Sequence, residues 1–147
     1  SAIAERAFVR LDAEVAKAVA ATKGDARAKL RAAGLAYVGF GERHPGALRT
    51  MFLGELCDAE RHPGPARAAA AAFARLAALV AEGQAEGTIR RDRGAEVLAA
   101  ALWAGEHGHA SLLLDGLIRE GGRGEGAPRG DRAVLVDLLV RGLAPEP

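Results

Sequence analysis

The stretch GTIRRDRGAEVLAAALWAGEHGHASLLLDG, Gly87 to Gly116, decides the fold of this chain. Thr88 to Arg91 form a short polar connection, and Asp92 is a residue type that caps helix N-termini. The helix it would open runs to about Ile118. Its apolar residues Val97, Leu98, Leu102, Trp103, Leu112, Leu113, Leu114 and Leu117 go nearly all round. A helix that is apolar on more than one face is buried on more than one side. Alanine, the best helix former, is the commonest residue between them, and β-branched residues are sparse, so the segment is a buried helix rather than a strand.

The flanking segments repeat the helical pattern. From about Ile3 to Thr22, Phe8, Leu11, Val15 and Val19 recur at spacings of three and four and share one face. Gly24 is expected to cap that helix and Asp25 to open the next, from Asp25 to Arg43, with Leu30, Ala33, Tyr37 and Phe40 on one stripe. His44-Pro45 ends it, because a residue before proline is pushed out of the α region. Pro45 suits the first turn of a short third helix bearing Leu48, Phe52 and Leu56, with Met51 beside them. His62-Pro63-Gly64-Pro65 is expected to break the chain. A fourth helix then reaches about Glu86 with Phe73, Leu76 and Val80 in register, closed by Gly87. After the fifth helix, Glu120 to Gly130 is a glycine-rich charged link. The sixth helix starts near Asp131 and ends near Leu143, with Val134, Leu135, Leu138 and Leu139 on a compact apolar face. The expected architecture is all-α: a six-helix bundle in one domain, residues 1–147, with no strand pattern and no internal repeat.

Composition narrows the function classes. The chain has 147 residues, enough for one core without metal or disulfide staples. With 20 basic and 19 acidic residues mixed along it and a net charge of +1, it lacks the electrostatic footprint of a phosphate-gripping module. The single cysteine, Cys57, allows no internal disulfide and suits a reducing cytoplasm. No uninterrupted apolar run approaches 18 residues and no signal peptide opens the chain, so a cytoplasmic protein away from membranes is expected. No initiator Met is present, and a segment upstream of Ser1 is expected in the natural protein.

The last two helices carry more apolar surface than a small monomer needs, which points to self-association. Two helices from each of two subunits would form a four-helix interface about a two-fold axis. Leu112, Val134, Leu135, Leu138 and Leu139 would fill it, and Ala101, Ala104, Gly105 and Gly108 would allow close approach. Each mid-helix glycine costs roughly 1 kcal/mol against alanine, so a packing reason is expected. The competing explanation is that the fifth helix is the core helix of a monomer.

Two blocks carry a family resemblance. AYVGFGERHPGALRTMF (Ala36 to Phe52) places a Tyr and a Phe on one helix before a His-Pro break and a short helix ending in Met-Phe. Downstream, Trp103, His107 and Gly108 stand as W-x-x-x-H-G. Together they resemble the C-terminal domain of TetR-family regulators, in the subgroup named for that Trp-His-Gly signature. The resemblance implies a helical domain that dimerises as a homodimer and binds a small hydrophobic or amphipathic effector. It also implies operator DNA as a partner through an N-terminal helix-turn-helix domain, whose Tyr-x-x-Phe recognition helix has no counterpart here. The first helix would be the connector between the two parts. In this reading the protein is a transcriptional regulator, expected to be a repressor that leaves its operator when the effector binds, and not an enzyme.

Tyr37, Phe40, Met51, Phe52, Phe73, Leu76 and Trp103 are the large side chains expected on inward faces, where they would line an apolar cavity or simply pack the core. Tyr37 and Trp103 carry polar atoms that need partners when buried. His107 lies one turn beyond Trp103 and one before Ser111, so the three form a stripe that either orients an effector or holds a structural histidine. His109 points away, toward an interface or the surface. Cys57 is a sensor thiol only if exposed beside a cation. Glu106 and His109 make an E-x-x-H pair, but a di-metal site needs a second copy, which is absent. Glu106 with His107 is the pair a small helical enzyme would use. No G-x-x-x-x-G-K-[ST] phosphate cradle exists, and Ser111 stands on no nucleophile elbow, so no metal and no cofactor are expected.

Overall fold

The computed structural model describes residues 2–53, 58–121 and 126–147; Leu56 and Cys57, singled out above, lie outside them. Six helices follow in order: α1 (Ala2–Ala20), α2 (Ala26–Arg43), α3 (Pro45–Met51), α4 (Pro63–Glu86), α5 (Ala95–Leu114) and α6 (Arg132–Arg141). Among the described residues the sole β feature is an isolated bridge between Arg119 and Arg129. The protein is an all-α six-helix bundle.

The helix boundaries show which local signals decide. Asp25 caps α2 by accepting a hydrogen bond from the Ala28 amide at 3.0 Å, and Asp131 caps α6 by accepting from Ala133 at 2.9 Å and Val134 at 3.2 Å. Gly87 closes α4 at φ 80°, a left-handed conformation that glycine adopts without a Cβ penalty. Gly24 is not the cap of α1, which ends four residues earlier at Ala20. Asp92 does not cap α5: its carboxylate is held by Arg90 at 2.6 Å, which keeps its pKa down at about 2, and Gly94 takes the N-cap position. The His62-to-Pro65 segment is not a break before α4, because Pro63 opens the helix. Prolines in a first turn lack only amides that have no helical acceptor there. Helix α3 stops at Met51, so Phe52 is its C-cap rather than part of its face, and α5 stops at Leu114 rather than near Ile118.

Helix α2 is the hub, packing on α1, α3, α4, α5 and α6. Two cores form around it. One gathers Leu30, Val80, Ile89, Leu98, Leu102, Val136 and Val140; the other gathers Phe8, Leu11, Tyr37, Val38, Phe40, Leu48 and Met51. Ile89 belongs to the first core although it sits in the short polar connection, and Gly83 makes room for it, since a side chain at that position would run into Ile89. The described ends of the 120–130 link are tied down. The Arg119 amide donates to the Pro128 carbonyl and the Gly130 amide to the Arg119 carbonyl across it, and Glu120 accepts from His109 at 2.9 Å and from the Arg132 side chain at 2.7 Å. His109 is therefore buried, not at an interface or on the surface.

Helix α4 is long and apolar enough, by length and composition, to cross a membrane. That hydropathy is mostly alanine, and its larger side chains Phe73, Leu76, Leu79 and Val80 pack against the first core.

Candidate functional site

A cavity of about 80 Å³ lies where the two cores approach each other, walled by α1, α2, α4, α5 and Phe52. Its floor is apolar: Phe8, Leu11 and Val15 come from α1, Ala33 and Tyr37 from α2, Ala69, Ala72, Phe73 and Leu76 from α4, and Trp103 from α5. The alanines among them, Ala33, Ala69 and Ala72, take up little space, so the few large rings set the shape. Phe52 packs edge-on to Phe8 at 5.6 Å and lies 5.9 Å from Trp103, and Phe73 lies 6.2 Å from Trp103. The result is an aromatic cage with its rings tilted to one another.

Five of the nine residues expected to line a ligand site do so: Tyr37, Phe52, Phe73, Leu76 and Trp103. Phe40 and Met51 do not. Both are fully buried in the packing of α2 and α3 against α1, beyond the end of the cavity. His107 and Ser111 do not reach it either, because their polar atoms are bound to each other and to Tyr37. The chain of bonds runs from the Trp103 indole N–H to the Tyr37 hydroxyl at 3.2 Å, then between Tyr37 Oη and His107 Nδ1 at 2.7 Å, then between His107 Nε2 and Ser111 Oγ at 3.3 Å. Burial lowers the His107 pKa and raises that of Tyr37, so both are neutral at pH 7. A neutral phenol that accepts from Trp103 donates its own proton to Nδ1. The His107 proton then sits on Nε2, where it faces Ser111. His107 thus holds the Tyr37 hydroxyl, and with it one wall of the cavity, in place.

Two carboxylates also line the cavity. Asp12 on α1 is paired with Arg75 of α4 at 3.0 Å. Glu106 on α5 is only 4% exposed and makes no hydrogen bond or ion pair among the described residues. Desolvation alone pushes its pKa up to about 8, so the empty site holds it mostly protonated at neutral pH. Gly34 of α2 makes room for this carboxyl: a Cβ there would stand 2.5 Å from Glu106 Oε1. Glu106 and His107 form no pair, since adjacent positions on a helix point about 100° apart. Glu106 and His109 likewise bind nothing in common, and no group of metal-ligating side chains occurs among the described residues.

Sequence reasoning missed the α1 wall and Glu106. The signal for α1 was present in the Phe8-Leu11-Val15 face, which was assigned to a connector. The signal for Glu106 was a lone carboxylate with Leu102, Trp103 and Ala110 as its helical neighbours one turn away, a position where a solvated acid does not belong.

On the opposite side of α5, Val97 (62% exposed) and Leu112 (41%) line up with Ala101, Ala104 and Gly108. Beside them, α6 presents Val134 (54%) and Leu138 (62%). Leu135 is half-buried. Gly105 and Leu139 of the expected interface serve a contact within the chain: a Cβ at Gly105 would stand 2.8 Å from Leu139, so the glycine lets α6 lie close on α5.

Comparison with known proteins bears on the fold and the family. No curated protein matches the sequence. A solved structure, described as a protein with unknown function from Rhodococcus sp. RHA1, is 29% identical, with a TM-score of 0.76 over 97% of this chain and 70% of that one. Residues 30–142 match the family described as tetracyclin repressor-like, C-terminal domain, and they run from Leu30, within α2, through α6 and include Tyr37, Trp103 and Glu106; the chain belongs to that family.

Proposed function

We propose that residues 1–147 form the effector-sensing and dimerisation domain of a cytoplasmic TetR-type transcriptional repressor of the Trp-His-Gly subgroup. The observation that carries this reading is the cavity itself, and in particular that α1 forms one of its walls through Phe8, Leu11 and Val15. In a regulator of this kind α1 leads to the DNA-reading head. A guest that fills the space between α1, α4 and α5 binds best to one setting of α1 and draws the population toward that setting. A differential affinity of about 5.5 kcal/mol moves a 1:99 balance to 99:1, and less suffices for partial release from the operator. Equal affinity for both settings would move nothing.

The second half of the reading is a homodimer through α5 and α6. A row of exposed valines, leucines and small residues on two adjacent helices is an unusual surface for a monomer. A second copy placed across a two-fold axis covers the same row on both subunits at once. The effector would be small and hydrophobic or amphipathic, matching an apolar cage with few polar atoms.

The test is operator release. Purified with its upstream DNA-binding segment, the protein should bind its operator as a dimer and lose affinity when an effector saturates the Trp103 fluorescence change. Ligand binding that leaves operator affinity untouched would overturn the regulatory reading.

A further inference from the structure

The unpartnered Glu106 carboxyl narrows the chemistry of the guest. We propose that the cavity takes a small organic cation, a protonated amine on an alkyl stem, with Glu106 as its counter-ion; this rests on the reading of the cavity as an effector site. Four observations converge.

First, an acid that is 4% exposed and without a hydrogen bond is costly, and proteins rarely keep one without a use. No fully occluded polar side-chain atom among the described residues lacks a partner, so the unbonded oxygens of Glu106 retain contact with the cavity. Second, among the described residues no lysine, arginine or histidine lines the cavity. An anion entering it would meet Glu106 and find no cation, because Arg75 is already paired with Asp12. Apart from Glu106 itself, the neutral donors at hand, the Trp103 N–H and the Tyr37 hydroxyl, are bound in the chain that ends at Ser111. Third, the aromatic residues Phe8, Tyr37, Phe52, Phe73 and Trp103 line the space. The negative faces of such rings attract a cation, tryptophan most strongly. Fourth, the cavity holds about 80 Å³, roughly half of the ~150 Å³ that accommodates one benzene molecule, so an aryl ring is too large for it and an alkyl stem remains.

The proton balance follows. The groups that face Glu106 are the Tyr37 hydroxyl from α2 and, across the cavity, the Asp12–Arg75 pair from α1 and α4; His107 stands behind Tyr37. In the empty site Glu106 is held mainly as the neutral acid. An ammonium ion arriving from water at pH 7 keeps its proton, and Glu106 loses its own to solvent, leaving an ammonium–carboxylate pair and close to one proton released per molecule bound. A neutral guest of the same shape releases none.

Three probes of equal length decide the matter: hexylamine, 1-hexanol and hexanoate, titrated into the 147-residue chain at pH 7. Trp103, the single tryptophan, reports occupancy by its emission. Calorimetry in two buffers of different ionisation enthalpy counts protons. Hexylamine is expected to bind at least tenfold more tightly than 1-hexanol, and hexanoate more weakly than either, with proton release for the amine alone. In Glu106→Gln the amine should fall to the level of the alcohol. Equal binding of amine and alcohol, or an amine preference that survives Glu106→Gln, would overturn the cation assignment while leaving the cavity a ligand site. No response to any of the three would overturn both. If Glu106→Gln does not fold, the wild-type ranking and proton count still decide.

Discussion

The two faces of α5 are alike in composition and opposite in use. Toward the bundle, Trp103 and Glu106 border a space that the chain does not fill. Toward solvent, Val97, Ala101, Ala104 and Leu112 form a continuous row that nothing among the described residues covers. Hydrophobicity alone does not separate them, since a helix apolar all round says only that both sides are to be covered. The polar atoms do. The inner face carries an unpaired carboxyl and an indole N–H bonded into a buried chain, as a recognition site requires. The outer face has only aliphatic side chains and small residues, as a close helix–helix seam requires. On the proposed reading, one face recognises and the other adheres.

The comparison breaks most visibly at Leu138. Arginine there would set a charge in the middle of the proposed seam, with its counterpart across the two-fold axis. Leu138 is 62% exposed in the single chain, so the fold should survive while the dimer weakens by a hundredfold or more, giving a monomer by light scattering. A soluble variant that remains dimeric would remove α6 from the interface.

The inner face predicts a stability effect of opposite sign to the usual mutation. Glu106 has a folded-state pKa raised to about 8. A raised carboxyl pKa means that the unfolded chain releases its proton first, so stability falls as pH rises from about 4.5 toward 8 and then levels off. At pH 7 the loss is about 3 kcal/mol for a carboxyl this well buried. Glu106→Gln should recover much of it, and urea titrations at pH 5, 7 and 8.5 should show a flatter profile than wild type. A variant less stable than wild type at every pH would mean that the carboxyl makes a stabilising contact.

Smaller effects sharpen the inner face. Trp103→Ala should weaken binding of a cavity probe several-fold or more and leave the dimer intact; unchanged affinity would remove Trp103 from the site. Tyr37→Phe takes away the hydroxyl between Trp103 and His107. It should cost about 1 kcal/mol in thermal or urea unfolding, the ordinary worth of a buried hydrogen bond with its partners left unsatisfied. A neutral result would mean that the chain to Ser111 holds nothing in place.

How legible this was in the sequence depended on the kind of signal. Asp25, Asp131, Pro45 and Gly87 gave correct helix ends because capping is local chemistry within four residues. Asp92 misled for a tertiary reason: Arg90 competes for its carboxylate. The apolar surplus of α5 and α6 was readable as pattern, but which leucines face inward was not. Val136 and Val140 pack into the core while Val134 and Leu138 stay outside, although all four lie on one ten-residue helix. The cavity was half legible. Large side chains such as Trp103 and Phe73 announced an interior, whereas the boundary between lining and packing depends on where α1 and α4 come to rest. That is why Phe40 and Met51 proved to be core, and why Glu106 was weighed as a metal ligand or catalytic acid rather than as a lone cavity wall.

The most direct test of a two-faced α5 is methyl NMR of the wild-type chain with a soluble paramagnetic agent, recorded without and with hexylamine. Methyls of Val97, Leu112, Val134 and Leu138 should be shielded in both states although a single chain exposes them, and those of Leu11, Val15 and Leu76 should shift when the amine enters. Outer methyls bleached by the agent, with inner ones indifferent to the amine, would contradict the account.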